Sequence, residues 1–190
     1  ITLFQNSSFI NSFFIFFYSI YFIYKNRSIF KNFDYFKSNQ NYGSWLPAMC
    51  KFFFNKKFVS RCGYDLFHFA IMEKKFLKII LSYFICLISY KSADNIFVPT
   101  IFYKKFISKY FFIKKQKIHV IPNFVDTSIF EYKKNIKRFK NRVLFIGRLE
   151  KQKNIFTILI AFKNSPYCID ILGTGSLRTK IIDFSNRNNI

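Results

Sequence analysis

The residues best suited to chemistry stand where an apolar run gives way to charge. Gly147, Arg148 and Lys153 lie in GRLEKQKN, residues 147–154, directly after the run RVLFI. Arg grips phosphate oxygens with a two-pronged fork, and Lys adds a mobile point charge. A helix opening beyond them aims free backbone N–H groups and its positive dipole end at the same place. These types at this spacing suit a diphosphate, although a solvated basic loop has the same outline. A second stretch, LGTGSLR, brackets Thr174 between Gly173 and Gly175. Such glycines let a backbone approach a phosphate or nucleotide, or simply make a tight strand-to-helix turn. The dinucleotide fingerprint is incomplete, because Arg178 stands where its third glycine belongs. In a third stretch, IPNFVDTSIF, the turn formers Asn123 and Asp126 follow Pro122, which reads as an ordered connection.

The elements that must position these residues follow from periodicity and punctuation. RVLFIG (142–147) and YCIDILG (167–173) are apolar strands ending on glycine, while Lys153–Phe162 and Leu177–Phe184 suit helices. Strand, helix, strand, helix at this spacing implies parallel strands with crossover helices. Ligands of such sheets bind at the carboxyl ends of strands. Upstream, KKFVSRCGYD reads as a strand turning at Gly63, followed by one long helix over Leu66–Tyr90. NIFVP is a buried strand stopped by Pro99, Thr100 caps a basic helix over about Phe102–Phe111, and KIHVI (117–121) is another strand. Periodicity fades over 123–141, a linker rich in polar and basic residues. Residues 1–42 are weakly periodic and suggest a helix followed by a loop.

Composition restricts the class less than its extremes suggest. The 190 residues include Phe 30 and Tyr 12, and Lys+Arg 31 against Asp+Glu 9 gives +22. AT-rich codons would produce this drift without selection. A basic surface invites phosphate, nucleic acid or anionic lipid. The aromatics fall in core-like apolar runs, and no RRM, KH or zinc pattern is present, which disfavours nucleic acid as a partner. Cys50, Cys62, Cys86 and Cys168 form no CxxC pair and no zinc-type spacing, so they read as buried, reduced thiols. His68 on an apolar helix and His119 in a strand read as structural. Phe13–Tyr24 and Ile79–Tyr90 are shorter than the roughly 20 residues a spanning helix needs. They read as buried core elements. Membrane-surface contact, helped by Lys25, Arg27, Lys75 and Lys78, is the sharper alternative.

Taken together and in order, ADNIFVPT, KIHVIPNFVDTSIF, RVLFIGRLEKQKN and IDILGTGSLR resemble the retaining glycosyltransferases of family 4. The resemblance spans roughly residues 92–183 and extends more weakly to SRCGYD at 60–65. It implies an α/β, GT-B-like fold of two Rossmann-like domains. Residues 1–122 would be the C-terminal part of the acceptor-side domain, incomplete at its start. Residues 123–141 would be the interdomain linker. Residues 142–190 would begin the donor nucleotide-sugar-binding domain, truncated after its first strand–helix units. Arg148, Lys153 and Gly147 would bind the donor diphosphate, and Gly173 and Gly175 would line the donor nucleotide loop. Phe124 and Asn154 stand where the family often has glycine. Fixed cations would stabilise the charge growing on the leaving diphosphate. The resemblance implies no obligatory metal and no cofactor, and the chain has no DxD pair. The family's glutamate pair is expected beyond residue 190, so the chain by itself is expected to be inactive.

The implied activity is hexosyl transfer from a nucleotide-diphosphate sugar to a glycan or lipid-linked acceptor in cell-surface polysaccharide synthesis. It would take place in the cytoplasm or at the cytoplasmic face of the membrane. The alternative is a basic nucleic-acid-binding or membrane-peripheral module without catalysis.

Overall fold

A computed structural model of the chain describes residues 9–132 and 139–188. The start of the expected N-terminal helix and positions 133–138 of the expected linker lie outside the described residues. Contacts divide the chain into two compact units, Ile1–Asp126 and Thr127–Ile190.

In the first unit the order is α1 (Phe9–Lys25), α2 (Arg27–Lys31), β1 (Tyr35–Ser38), α3 (Trp45–Phe54), β2 (Lys57–Arg61), α4 (Leu66–Glu73), α5 (Phe76–Ser92), β3 (Asn95–Val98), α6 (Ile101–Phe111) and β4 (Ile118–Val120). The strands form one parallel sheet in the order β1-β2-β3-β4. Parallel neighbours cannot be joined by a hairpin, so a helix makes each crossover. Same-handed crossovers stepping in one direction put those helices on one face of the sheet. Burial alternates accordingly. Phe36, Phe58, Ser60, Ile96, Val98 and Ile118 are buried, whereas Lys37, Lys57, Asn95 and His119 are exposed. NIFVP, expected to be a buried strand, is therefore buried on one face only. Its core partners are Cys86 and Tyr90 of α5 and Ile107 and Phe111 of α6. Thr100 caps α6 as expected, its hydroxyl accepting the Tyr103 N–H at 3.3 Å.

The long helix expected over 66–90 is two helices. Lys74 adopts a left-handed conformation (φ 56°) that ends α4, and Lys75 is extended. The break lets α4 and α5 pack against one another, which one straight helix cannot do. Phe13–Tyr24 and Ile79–Tyr90, expected as core elements, are buried along narrow stripes only. On α1 the stripe is Ser19 and Ile23, and on α5 it is Ser82, Cys86, Ser89 and Tyr90. Phe14, Phe17, Tyr18, Phe76, Leu77 and Phe84 remain exposed, because a helix offers one face to the layer it packs on. Among the described residues, no helix is long and apolar enough to cross a membrane.

Asp94 ties the start of β3 to β2 and α3. Its Oδ2 accepts the Phe58 N–H at 2.8 Å, and Lys51 Nζ bonds both its Oδ1 and the Ser92 carbonyl. Burial alone would push this carboxyl up, but the Lys51 and Phe58 bonds outweigh it and hold it below the ordinary value. A depressed carboxyl stabilises the fold above its unfolded pKa, near 3.9, and that stability is lost as pH falls through the lower, folded value. Asp94→Asn is expected to cost about 1 kcal/mol at pH 7, discounted for the pair's exposure. The gap from wild type should close on acidification below about pH 4 in denaturant titrations. A gap that is constant with pH would remove the charge from the explanation.

The second unit contains β5 (Arg142–Ile146), α7 (Ile155–Phe162), β6 (Cys168–Leu172) and α8 (Arg178–Asn188). The strands are parallel, with Arg142 opposite Cys168 and Ile146 opposite Leu172. Leu149, Ile155, Leu159 and Ile181 form the core under Phe145, Ile169 and Ile171. Leu144 and Ile146, on the face opposite Phe145, are exposed, so RVLFI too is covered on one side only. Arg142 grips Asp170 through two bonds, 3.0 and 2.6 Å, that link the strands. The helix expected from Lys153 begins at Ile155. Lys151–Lys153 is a 3-10 turn, and Asn154 is left-handed at φ 48°.

Candidate functional site

The loops after β5 and β6 leave the same end of a parallel pair, the carboxyl end where such sheets bind ligands. They continue the pairing of the strands. Gly147 N–H donates to the Leu172 carbonyl (3.0 Å), Leu149 N–H to the Thr174 carbonyl (2.8 Å), and Leu177 N–H to the Leu149 carbonyl (3.0 Å). This closure depends on two glycines. A Cβ on Gly173 would lie 1.9 Å from the Gly147 carbonyl oxygen, and one on Gly175 would lie 2.5 Å from the Leu149 carbonyl oxygen. Both glycines thus have a steric duty toward the facing loop, whatever else they approach. A Cβ on Gly147 would meet only the Phe145 ring, at 3.4 Å.

Glu150 fastens the loops from the side. Its carboxylate accepts the Ser176 N–H at 2.9 Å and the Ser176 hydroxyl at 2.8 Å. Those bonds, backbone first, hold its pKa below the ordinary glutamate value, so it stays ionised. Sequence reasoning missed this residue, since nothing near it in the sequence marks Ser176 as its partner.

Leu149 is buried and anchors the loop, while Arg148 and Lys153 on either side are exposed. Neither side chain forms a hydrogen bond or salt bridge with a described residue, although the Arg148 charge also helps to hold Glu150 ionised. Asn154 tolerates its left-handed backbone, which explains why asparagine can replace the glycine often found there. The structure therefore gathers Gly147, Arg148, Lys153, Gly173 and Gly175 at one end of the β5–β6 pair. Among the described residues, no group of three or more His, Cys, Asp and Glu is arranged to hold a metal.

The first unit carries a second cluster, just beyond β2, that the sequence did not reveal. Asp65 is fully buried. Its Oδ1 accepts the His68 N–H at 2.7 Å, capping α4, and its Oδ2 accepts the Tyr90 hydroxyl at 2.5 Å. The Cys62 thiol donates to Asn41 Oδ1 at 3.1 Å. Burial pushes the Asp65 carboxyl above its usual range, and the Tyr90 and His68 bonds oppose that rise. An Asp before an apolar helix was a visible cap signal, but its pairing with Tyr90 was not. His68 lies against the Phe102, Tyr103 and Phe106 rings, and His119 Nε2 is 2.9 Å from Asn95 Oδ1.

Burial pushes the Cys50 thiol up to about 11. Burial and then the Asp65 charge push Cys62 to about 12, and burial drives Cys86 upward as well. Cys168, expected to be buried, is exposed on β6. Native protein should therefore react quickly with a thiol reagent at Cys168 alone, and Cys168→Ser should abolish the fast phase. Two fast equivalents would contradict the burial of the others.

The architecture matches a solved glycosyltransferase, the lipopolysaccharide outer core galactosyltransferase WaaB in its apo form. The TM-score is 0.59 at 19% identity, over 92% of this chain and 47% of that one. The chain thus shares the GT-B fold while spanning about half the length of that protein. No curated protein sequence matches it. The sequence profile of Glycosyltransferase Family 4 matches residues 6–129, and the chain belongs to that family. This match begins far upstream of residues 60–65, where the motif resemblance starts, and ends before the loop that carries Arg148 and Lys153.

Proposed function

We propose that this chain serves a glycosyltransferase that moves a hexosyl unit from a nucleotide-diphosphate sugar to a glycan or lipid-linked acceptor. In this reading the second unit holds the donor, the first faces the acceptor, and residues 123–141 connect them. One observation carries it: two exposed cations flank a buried anchor on a loop locked to its neighbour at the carboxyl end of parallel strands. Held there, Arg148 and Lys153 meet the diphosphate, and their charges grow more favourable as the glycosidic bond breaks and negative charge collects on the leaving group. The setting we favour is cell-surface polysaccharide synthesis at the cytoplasmic face of the membrane. Family membership supports sugar transfer.

The test is calorimetric titration of the 190-residue chain with UDP, GDP and ADP against their monophosphates. At least one diphosphate should bind about tenfold tighter than its monophosphate, with an affinity that declines as salt rises. Equal affinity for both would reject the donor site. Because the family's glutamate pair is not placed among these residues, the chain alone is expected to transfer no sugar in a labelled-donor assay. Clear transfer would overturn that assignment.

A further inference from the structure

The two cations of the candidate donor loop are joined through one residue. The Glu150 N–H donates to the Arg148 carbonyl, and the Glu150 carbonyl accepts the Lys153 N–H, each at 2.9 Å. From that backbone junction the Glu150 side chain crosses to the glycine loop, where Ser176 donates to it through both its N–H and its hydroxyl. Glu150 is thus bonded to Arg148, to Lys153 and to the facing loop at once. Any displacement of Glu150 moves the backbone that carries both cations.

The place the carboxylate takes makes this a firm attachment. Ser176 leads into α8, and a helix start attracts anions because its backbone N–H groups and positive dipole end point there. Hydrogen bonds to an ionised acceptor are also stronger than neutral ones. Three successive amides at this start find acceptors within the chain. Ser176 N–H goes to Glu150, Leu177 N–H to the Leu149 carbonyl, and Arg178 N–H to the Gly175 carbonyl. Glu150 is therefore the resident anion of α8.

Two opposed effects on a bound diphosphate follow. A carboxylate near it repels it, whereas a loop fixed in advance spares the entropy of ordering two cations on binding. The Glu150 carboxylate lies at the surface, where water and salt screen the repulsion, so the ordering effect prevails.

We propose that Glu150 is a positioning residue of the donor site, setting Arg148 and Lys153 in place through its backbone while its carboxylate holds the glycine loop. This rests on the donor reading above and names a residue on which that reading did not call.

Calorimetric titration of Glu150→Gln and Glu150→Ala with UDP, GDP and ADP distinguishes positioning from repulsion. A glutamine removes the charge and keeps both contacts, its carbonyl accepting the Ser176 N–H and its amide donating to the Ser176 hydroxyl. Glu150→Gln should therefore bind the preferred diphosphate within about twofold of wild type, or tighter. Glu150→Ala should bind it about tenfold more weakly, because the cations must then be ordered on binding. Tighter binding by both variants would reduce Glu150 to a repelling charge. Equal weakening of both would show that the Ser176 contacts are not what matters, and wild-type affinity in both would leave Glu150 no part in binding. Each of these overturns the proposal. Arg142→Ala controls for stability, since it breaks the two bonds to Asp170 at the far end of β5. It should leave affinity unchanged, and a loss equal to that of Glu150→Ala would assign the effect to folding of the unit instead.

Amide hydrogen exchange without nucleotide separates this proposal from the donor reading. The Leu149 and Leu177 amides, which bridge the loops, should exchange faster in Glu150→Ala and at the wild-type rate in Glu150→Gln. That pattern in a chain that binds no diphosphate would remove the donor site and keep Glu150 as the residue that holds the loops. Wild-type exchange in Glu150→Ala, in a chain that does bind diphosphate, would remove the positioning role alone.

Discussion

Arg148→Ala is expected to weaken binding of a nucleoside diphosphate by about tenfold, and Lys153→Ala by a similar factor. A hydrogen bond to a charged group contributes about 1.5–3 kcal/mol, and 1.4 kcal/mol is a factor of ten in affinity. Both side chains are exposed, so the lower end of that range applies. The double variant should lose on the order of a hundredfold if the two cations touch different oxygens, and less if they share one. Arg148→Lys should recover only part of the loss, since an ammonium keeps the charge without the two-pronged fork. Lys151→Ala, in the same 3-10 turn, is the control and should change affinity little. Neither the Arg148 nor the Lys153 side chain hydrogen bonds to a described residue, so the losses should come without a change in melting temperature. Calorimetry and thermal melts on the same samples decide this. Affinities within twofold of wild type in the double variant would remove the loop from donor binding.

Gly173→Ala should be far more damaging than a surface alanine. A methyl group placed 1.9 Å from a backbone oxygen cannot be accommodated by turning a side chain, so one loop must move. That movement would break the bonds from Gly147 to Leu172 and from Leu149 to Thr174, which hold the paired loops together. The expected cost is on the order of 3 kcal/mol, the upper part of the overpacking range. It would fall on a unit of only Thr127–Ile190. Gly63→Ala is the matched control, because no atom lies within 4 Å of the added carbon. In denaturant titrations Gly173→Ala should lower the stability of the second unit and abolish diphosphate binding, while Gly63→Ala leaves both intact. Wild-type stability in Gly173→Ala would show that the loops separate more readily than their geometry indicates.

Much of the fold was legible because its signals are local. Pro99 and Pro122 end β3 and β4 close to where an imino acid must, and Thr100 caps α6 from the adjacent residue. Apolar runs closing on Gly147 and Gly173 mark β5 and β6 for the same reason. β1 was not legible. YFKS is short and sits among asparagines, and it is a strand because its backbone pairs with β2, Tyr35 opposite Lys57. The division at Lys74 was hidden because helical sequence stands on both sides of it. Ser38, at the end of β1, lies in the stretch that read only as a helix followed by a loop.

The candidate donor loop divides in the same way. Arg148, Lys153 and the paired glycines were chosen from residue type and spacing, which a sequence displays directly. The sequence by itself determined where the strands end and which side chains carry charge there, because these properties depend on near neighbours. Only the tertiary structure decided that Gly173 and Gly175 face another backbone, that Glu150 fastens the loops through Ser176, and that one face of each sheet is open. Each of those outcomes rests on contacts between distant segments, and such contacts exist only once the chain has folded.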